Sequence, residues 1–410
     1  MSRRAYHPAM LSLWSAFDQF LGLFGSRSDE VECTLIGESI PGLEKYLGGL
    51  LGRDGCIYGI PGHARRVLKV VPATGDVTFI GPEFAGKYKW LRASIAPSGA
   101  IYGIPCHADR VLKIVPKTGE VALIGPSFPG NWKWHGGVLA SDGCIYCVPQ
   151  FAEQVLKIDT ATDEISLFGG PFLGKNKWYG ALLGCDGSVW CIPQNETAVL
   201  KIDPTSQLCS RVGDLPAGGH KWHGGVVGDD GCIYGIPNNE ASVLRIDPRT
   251  QRVDTIGSCR SGRHRTDDKY KYLGGVKAAN GNIYCIPSDS DFVLKIVPET
   301  GEVSEVGPSL ENERCLCNKW QNGFLAADGK CYGIPLKADG VLQIDPTNDE
   351  VRSVGGPFVG FEKWEGGALA DDGCMYCFPL NAKRVLKIAP HVRDAKALEE
   401  SIASRAASDE

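Results

Sequence analysis

Residues 363–390 read KWEGGALADDGCMYCFPLNAKRVLKIAP, and after Pro390 the pattern stops. This segment is the last of eight copies that open at Lys45, Lys89, Lys133, Lys177, Lys221, Lys271, Lys319 and Lys363, with five intervals of 44 residues and two of 50 and 48. Each earlier copy carries four short apolar runs, as in KYLGGLLG (45–52), CIYGIPG (56–62), RVLKVVP (66–72) and DVTFIG (76–81), separated by Asp-Gly, Pro and Pro-x-Thr-Gly turns. Short runs between such turns are strands joined as hairpins, and a period of this length is that of one propeller blade. The eighth copy lacks its fourth run. That run stands at the other end of the chain, where EVECTLIG (30–37) matches GDVTFIG (75–81) with Val31 on Val77, Ile36 on Ile80 and Gly37 on Gly81, allowing a one-residue insertion. A β solenoid leaves its ends open, whereas a ring shut by an N-terminal strand removes both sheet edges. The expectation is an all-β, eight-bladed β-propeller of four-stranded antiparallel blades over residues 30–390. A short N-terminal amphipathic helix occupies 1–29 and a charged tail 391–410.

Composition agrees. Fifty-two glycines and twenty-five prolines without a triplet period indicate many tight turns. A formal net charge of -5, with basic and acidic residues interspersed, gives no electrostatic ground for a nucleic-acid or anionic-membrane partner. No apolar stretch is long enough to span a bilayer. The sixteen cysteines fall in repeated strand slots such as DGC at Cys56, Cys144, Cys232 and Cys374, so they read as small buried apolar residues of a cytoplasmic protein rather than as a disulfide framework. Cys144/Cys147 and Cys374/Cys377 point to opposite faces of a strand; Cys315/Cys317, in a loop, leave a metal or a disulfide open. In AMLSLWSAFDQFLGLFG (9–25), Trp14 and Phe17 lie on one helical face, a surface for docking on the domain or a partner; Arg3 and Arg4 before it leave organelle targeting as the alternative.

The repeated aromatics Trp90, Trp134, Trp178, Trp222, Trp320 and Trp364, with Tyr46 and Tyr272, are expected in blade-to-blade packing. The lysine before each is expected to lay its stem on apolar surface with the ammonium in water. Alternating strands put the Asp-Gly and Pro-x-Thr-Gly turns on one face; the loops after the second strand and the links between blades share the other. Variation concentrates on this second face, so function is placed there. The residue after the aromatic is Leu47, Leu91, His135, Tyr179, His223, Leu273, Gln321 and Glu365 in turn. His135, His223 and Glu365 are the candidates for catalysis or for a metal, with Tyr179 and Gln321 as binding residues beside them. His63 and His107 occupy equivalent loops. Arg260, Arg263 and Arg265, in the longer of two insertions (258–270), suit an acidic segment or a phosphate.

The stretch DGCIYGIPGHARRVLKVVPATGDVTFIG (54–81), with LKIDPTSQLCSRVG (200–213) and LRIDPRTQRVDTIG (244–257), resembles the repeat of virginiamycin B lyase-like and gluconolactonase-like propellers. The resemblance implies the architecture. The KWxGG opening and the eightfold count depart from those families, so no active-site residue carries over. The functional expectation is a non-enzymatic protein-interaction platform without a cofactor. The alternatives are an enzyme with a central metal-assisted polar site, of lyase or lactone hydrolase type, and a carbohydrate-binding propeller.

Overall fold

A computed structural model describes residues 31–311 and 315–391. They form thirty-two strands in eight four-stranded sheets. The expected N-terminal helix, with Trp14 and Phe17, and the tail from 392 lie outside the described residues. In blade 1 the strands a to d are Tyr46–Leu51, Ile57–Pro61, Val67–Val71 and Asp76–Ile80, each antiparallel to the next. Blade 8 takes a to c from Trp364–Leu369, Met375–Pro379 and Val385–Ala389 and its d strand from Glu32–Ile36. The register runs from Glu32 opposite Ala389 to Ile36 opposite Val385, so the outermost strand of the last blade comes from the start of the chain. Among the described residues no helix is long and apolar enough to cross a membrane.

Burial follows from the position of each strand. Strand b reads IYGIP in blades 1, 2 and 5 and is buried throughout, since both its faces meet neighbouring blades. In blades 1 and 5 strand d is exposed or half-buried along its length, because it is the outermost strand of the blade. The core is divided into layers between blades, as where Tyr46, Ile57 and Leu68 of blade 1 meet Tyr376, Phe378 and Val385 of blade 8. The sixteen cysteines are all free.

The double glycine answers a geometric need at the axis. Six of the eight a strands place a bulge between the aromatic and the residue three places on, which is glycine in four of them and Ala93 or Ala181 in the other two, and blades 1 and 7 carry a shifted version. Gly136, Gly180 and Gly224 there have φ of 80°, 78° and 70°. A Cβ on Gly180 would sit 3.6 Å from the Cα of Gly224 in the next blade, so backbone nearly touches backbone around the channel.

The lysines behave differently from expectation. Their ammonium groups are not in water: all eight residues are between 0% and 5% exposed. Lys89 Nζ donates to the carbonyls of Gly62 (2.7 Å), Ala64 (2.8 Å) and Gly86 (3.1 Å), joining the b–c loop of blade 1 to the link that enters blade 2. Lys133 and Lys177 repeat the contact on Cys106 and Gln150. Lys45 closes the ring by donating to Leu380 of blade 8. The physical reason is that chain reversal between blades leaves carbonyls with no strand partner, and a flexible cation with three donors satisfies them. The tryptophan that follows donates Nε1 to a carbonyl twenty residues on, as Trp90 to Arg110 (2.9 Å) and Trp178 to Ala198 (3.0 Å). These rings are buried and offer no open stacking face.

A second inter-blade device involves the Asp-Gly turn. In six blades its aspartate accepts a hydrogen bond from the aromatic four residues later, as Asp54 from Tyr58 (2.7 Å) and Asp186 from Trp190 (3.0 Å). Blades 2 and 6 have Ser98 and Asn280 instead. There the next blade supplies the acid: Tyr102 donates to Asp163 (2.6 Å) and Tyr284 to Asp349 (2.6 Å). Both aspartates hold a left-handed backbone, φ 63° and 58°, at the turn position where other blades use Gly75, Gly119 or Gly301. Asp163→Gly is therefore expected to lower stability by about 1–3 kcal/mol despite relieving the backbone, because the buried phenol loses its carboxylate. Adding Ser98→Asp should restore most of it by rebuilding the bond within blade 2. Denaturant midpoints of the two variants check this, and a double variant no better than the single would refute it.

Candidate functional site

The variable face is built on a strained frame. The residue before each repeat lysine, Glu44, Tyr88, Trp132, Asn176, His220, Tyr270, Asn318 and Glu362, has φ between 46° and 57°. None is glycine, and for bulky side chains this conformation is rare. Its carbonyl accepts the N–H of the neighbouring b–c loop, as Glu44 from His63 and Tyr88 from His107, both at 3.0 Å. The turn sends the following lysine down into the interface and leaves the left-handed residue on the rim. Its side chain differs from blade to blade while its backbone does not.

On blades 1 to 3 this frame carries a continuous aromatic ladder. His63 meets Tyr88 edge-on at 4.4 Å, Tyr88 meets His107 at 5.4 Å and Trp132 at 4.9 Å, and His107 meets Trp132 at 4.6 Å. Tyr88 and Trp132 are half-buried. His63 Nε2 lies 3.1 Å from Glu44 Oε2, yet burial is the largest influence on His63 and its pKa goes down, as does that of His107.

The ring of residues after the aromatic divides into two groups around the channel. His135 stacks on Tyr179 (3.7 Å between centroids, 21°), and Tyr179 lies tilted against His223 (4.4 Å, 41°). Burial pushes His135 well below the ordinary histidine value and His223 down to about 3, with Arg92 adding to both, so both imidazoles are neutral at pH 7. Across the channel Gln321 donates to Glu365 (2.8 Å). Burial raises the Glu365 carboxyl to about 7, while Arg92 and the Gln321 bond hold it down. The phenol of Tyr179 thus separates the two histidines, and Glu365 is engaged elsewhere. Among the described residues no three His, Cys, Asp or Glu side chains converge on a point where an ion could sit.

The insertion 258–270 folds over the b–c loop of blade 6. Arg263 pairs with Glu311 (2.6 Å) in the second insertion and lies 3.7 Å from Asp291; Arg265 binds Asp267 and Asp289. These two arginines are occupied by carboxylates of the chain itself, which closes the two insertions on each other. Arg260 stays exposed. Cys315 and Cys317 lie in this region as free thiols.

Two features escaped the sequence reading. The left-handed row has no consistent sequence signal, because only Asn176, His220 and Asn318 are residue types enriched in that conformation. Arg92 did have one: it fills the column of the first glycine, where six blades carry Gly and blade 7 carries Asn322.

The ring is similar to solved streptogramin B lyases. One, a streptogramin B lyase, aligns with a TM-score of 0.56 at 14% identity, covering 88% of this chain and 98% of its own. A catalytically inactive virginiamycin B lyase from Staphylococcus aureus with quinupristin gives 0.55 at 14% identity over 72% of this chain and 93% of its own. No protein-family model matches the chain, and no curated protein matches it. At such identity the likeness concerns the fold, in agreement with the resemblance read from the repeat.

Proposed function

We propose that this chain is a protein-interaction platform that takes its partner on the variable face, with residues 30–390 as the propeller and 1–29 as a second docking element. The observation that carries this reading is the half-buried aromatic ladder of Tyr88 and Trp132, held out from strained backbone beside His63 and His107. Tyrosine and tryptophan anchors of this kind dominate protein interfaces. An outer-rim slot adds an apolar margin on the same side of the ring. Leu35, Phe79, Leu123 and Leu167 are exposed on blades 8, 1, 2 and 3, whereas Arg211, Thr255, Glu305 and Ser353 fill that slot in blades 4 to 7. Among the described residues no three metal-ligating side chains converge to favour the enzyme reading, and the six repeated tryptophans that the carbohydrate reading would use are buried.

The test is affinity purification with the full chain, with a chain lacking residues 1–28, and with Tyr88→Ala/Trp132→Ala. The aromatic double variant is expected to weaken a complex by roughly thirtyfold, about 2 kcal/mol. Lys117→Ala, on the opposite face, is expected to leave it unchanged. A partner retained equally by the double variant would end the proposal.

A further inference from the structure

We propose that the channel holds a binding site for a single anionic oxyacid group, a carboxylate or a phosphate, centred on the guanidinium of Arg92. The inference is independent of partner docking at the rim. A cavity of about 290 Å³ lies on the axis, lined by Arg92, His135, Tyr179, His223 and Asn322 over glycine backbone. Its size is at the low end of small-ligand pockets. Arg92 is the one cation there, and among the described residues no carboxylate lies within ion-pair distance of it, although the molecule carries many such pairs elsewhere. The guanidinium passes over Gly48 and donates NH1 to the carbonyl of Leu47 (2.5 Å), which fixes its position and leaves other N–H groups unengaged. It lies close enough to His135, Tyr179, His223 and Glu365 to bias the protonation of each.

The walls suit an anion with a planar body. Tyr179, stacked on His135 and tilted against His223, makes one wall an aromatic cluster, and Asn322 adds an amide. His135 is 5% exposed and its Nδ1 has no hydrogen-bond partner, an unanswered polar group in the lining of the cavity. Glu365, the nearby acid, has Gln321 as its partner. Structural need does not explain Arg92, because six other blades build the same strand with glycine in that place. A fixed fork of N–H donors in a partly desolvated channel is the arrangement that recognises carboxylate and phosphate.

Titration calorimetry of the full chain with inorganic phosphate, benzoate and the neutral analogue benzamide tests the site and separates the two anion classes. Saturable one-to-one binding of phosphate or benzoate is expected, with none for benzamide. Arg92→Gly, which gives blade 2 the residue its neighbours carry, should weaken binding about ten- to a hundredfold, and Arg92→Lys should lose less. If the glycine variant melts early, Arg92→Gln must show the same loss. Absence of saturable binding by both anions, equal binding of benzamide and benzoate, or unchanged affinity in the folded Arg92→Gly or Arg92→Gln chain would overturn the proposal.

Discussion

Lys89→Met should destabilise the propeller by roughly 2–5 kcal/mol, while the same change at Lys363 should be neutral or stabilising. The two residues hold equivalent positions, are equally buried and differ in their partners. Lys89 donates three hydrogen bonds to backbone carbonyls of the preceding blade and link. Methionine fills the same volume but supplies no donor: Gly62 keeps only the backbone N–H of residue 89, and the half-buried Ala64 carbonyl loses its ammonium partner, while relief of one buried charge offsets only part of the loss. Lys363 Nζ has no hydrogen-bond partner among the described residues, so removing it discards a desolvated charge with no compensating bond. Denaturant unfolding of both variants separates the effects, and equal losses at the two sites would show that the lysines act through their stems alone.

The second large effect is an alkaline loss of stability. Burial pushes the thiols of Cys144, Cys209 and Cys374 up to about 11 and those of Cys106, Cys232, Cys259 and Cys331 to about 12. An unfolded chain releases these protons near the ordinary thiol value, about 8.5. Above it the folded state binds more protons than the unfolded one, so stability present below that pH is lost as pH rises through 11 and 12. Lysine works in the opposite sense. Burial lowers Lys45, Lys89 and Lys177 to about 8, so between there and the ordinary lysine value the unfolded chain holds the extra proton and stability rises with pH. The thiols outnumber these lysines, and the midpoint of denaturation should climb slightly toward pH 9 and then fall steeply to pH 11. A flat profile to pH 11 would contradict the burial assigned to the cysteines.

The architecture was legible because a propeller repeats its contacts, and repeated contacts write repeated text. Val31 and Ile36 could be matched to Val77 and Ile80 since a d strand meets the same neighbours in every blade. The buried ammonium is not legible from a general rule about amphipathic side chains. Burial of the ammonium depends on carbonyls of another blade, 25 and 27 residues away in the case of Lys89, and no local pattern announces them. The site was half legible for a related reason. Variation among copies exposed His135, Tyr179, His223, Gln321 and Glu365, but attention to polar replacements of leucine passed over an arginine in a glycine column. The left-handed rim could not be read, because Glu, Tyr and Trp carry no preference for it and the conformation is imposed by the link and the b–c loop together.

The aspartates that reach from one blade to the next sit on blades 3 and 7, half a turn apart. The same two blades end in GGPF, at 169–172 and 355–358. In these two features the circle repeats itself after a half rotation. Modules 2 and 6 could therefore trade places with each phenol still finding a carboxylate, whereas moving either in front of any other blade would strand it.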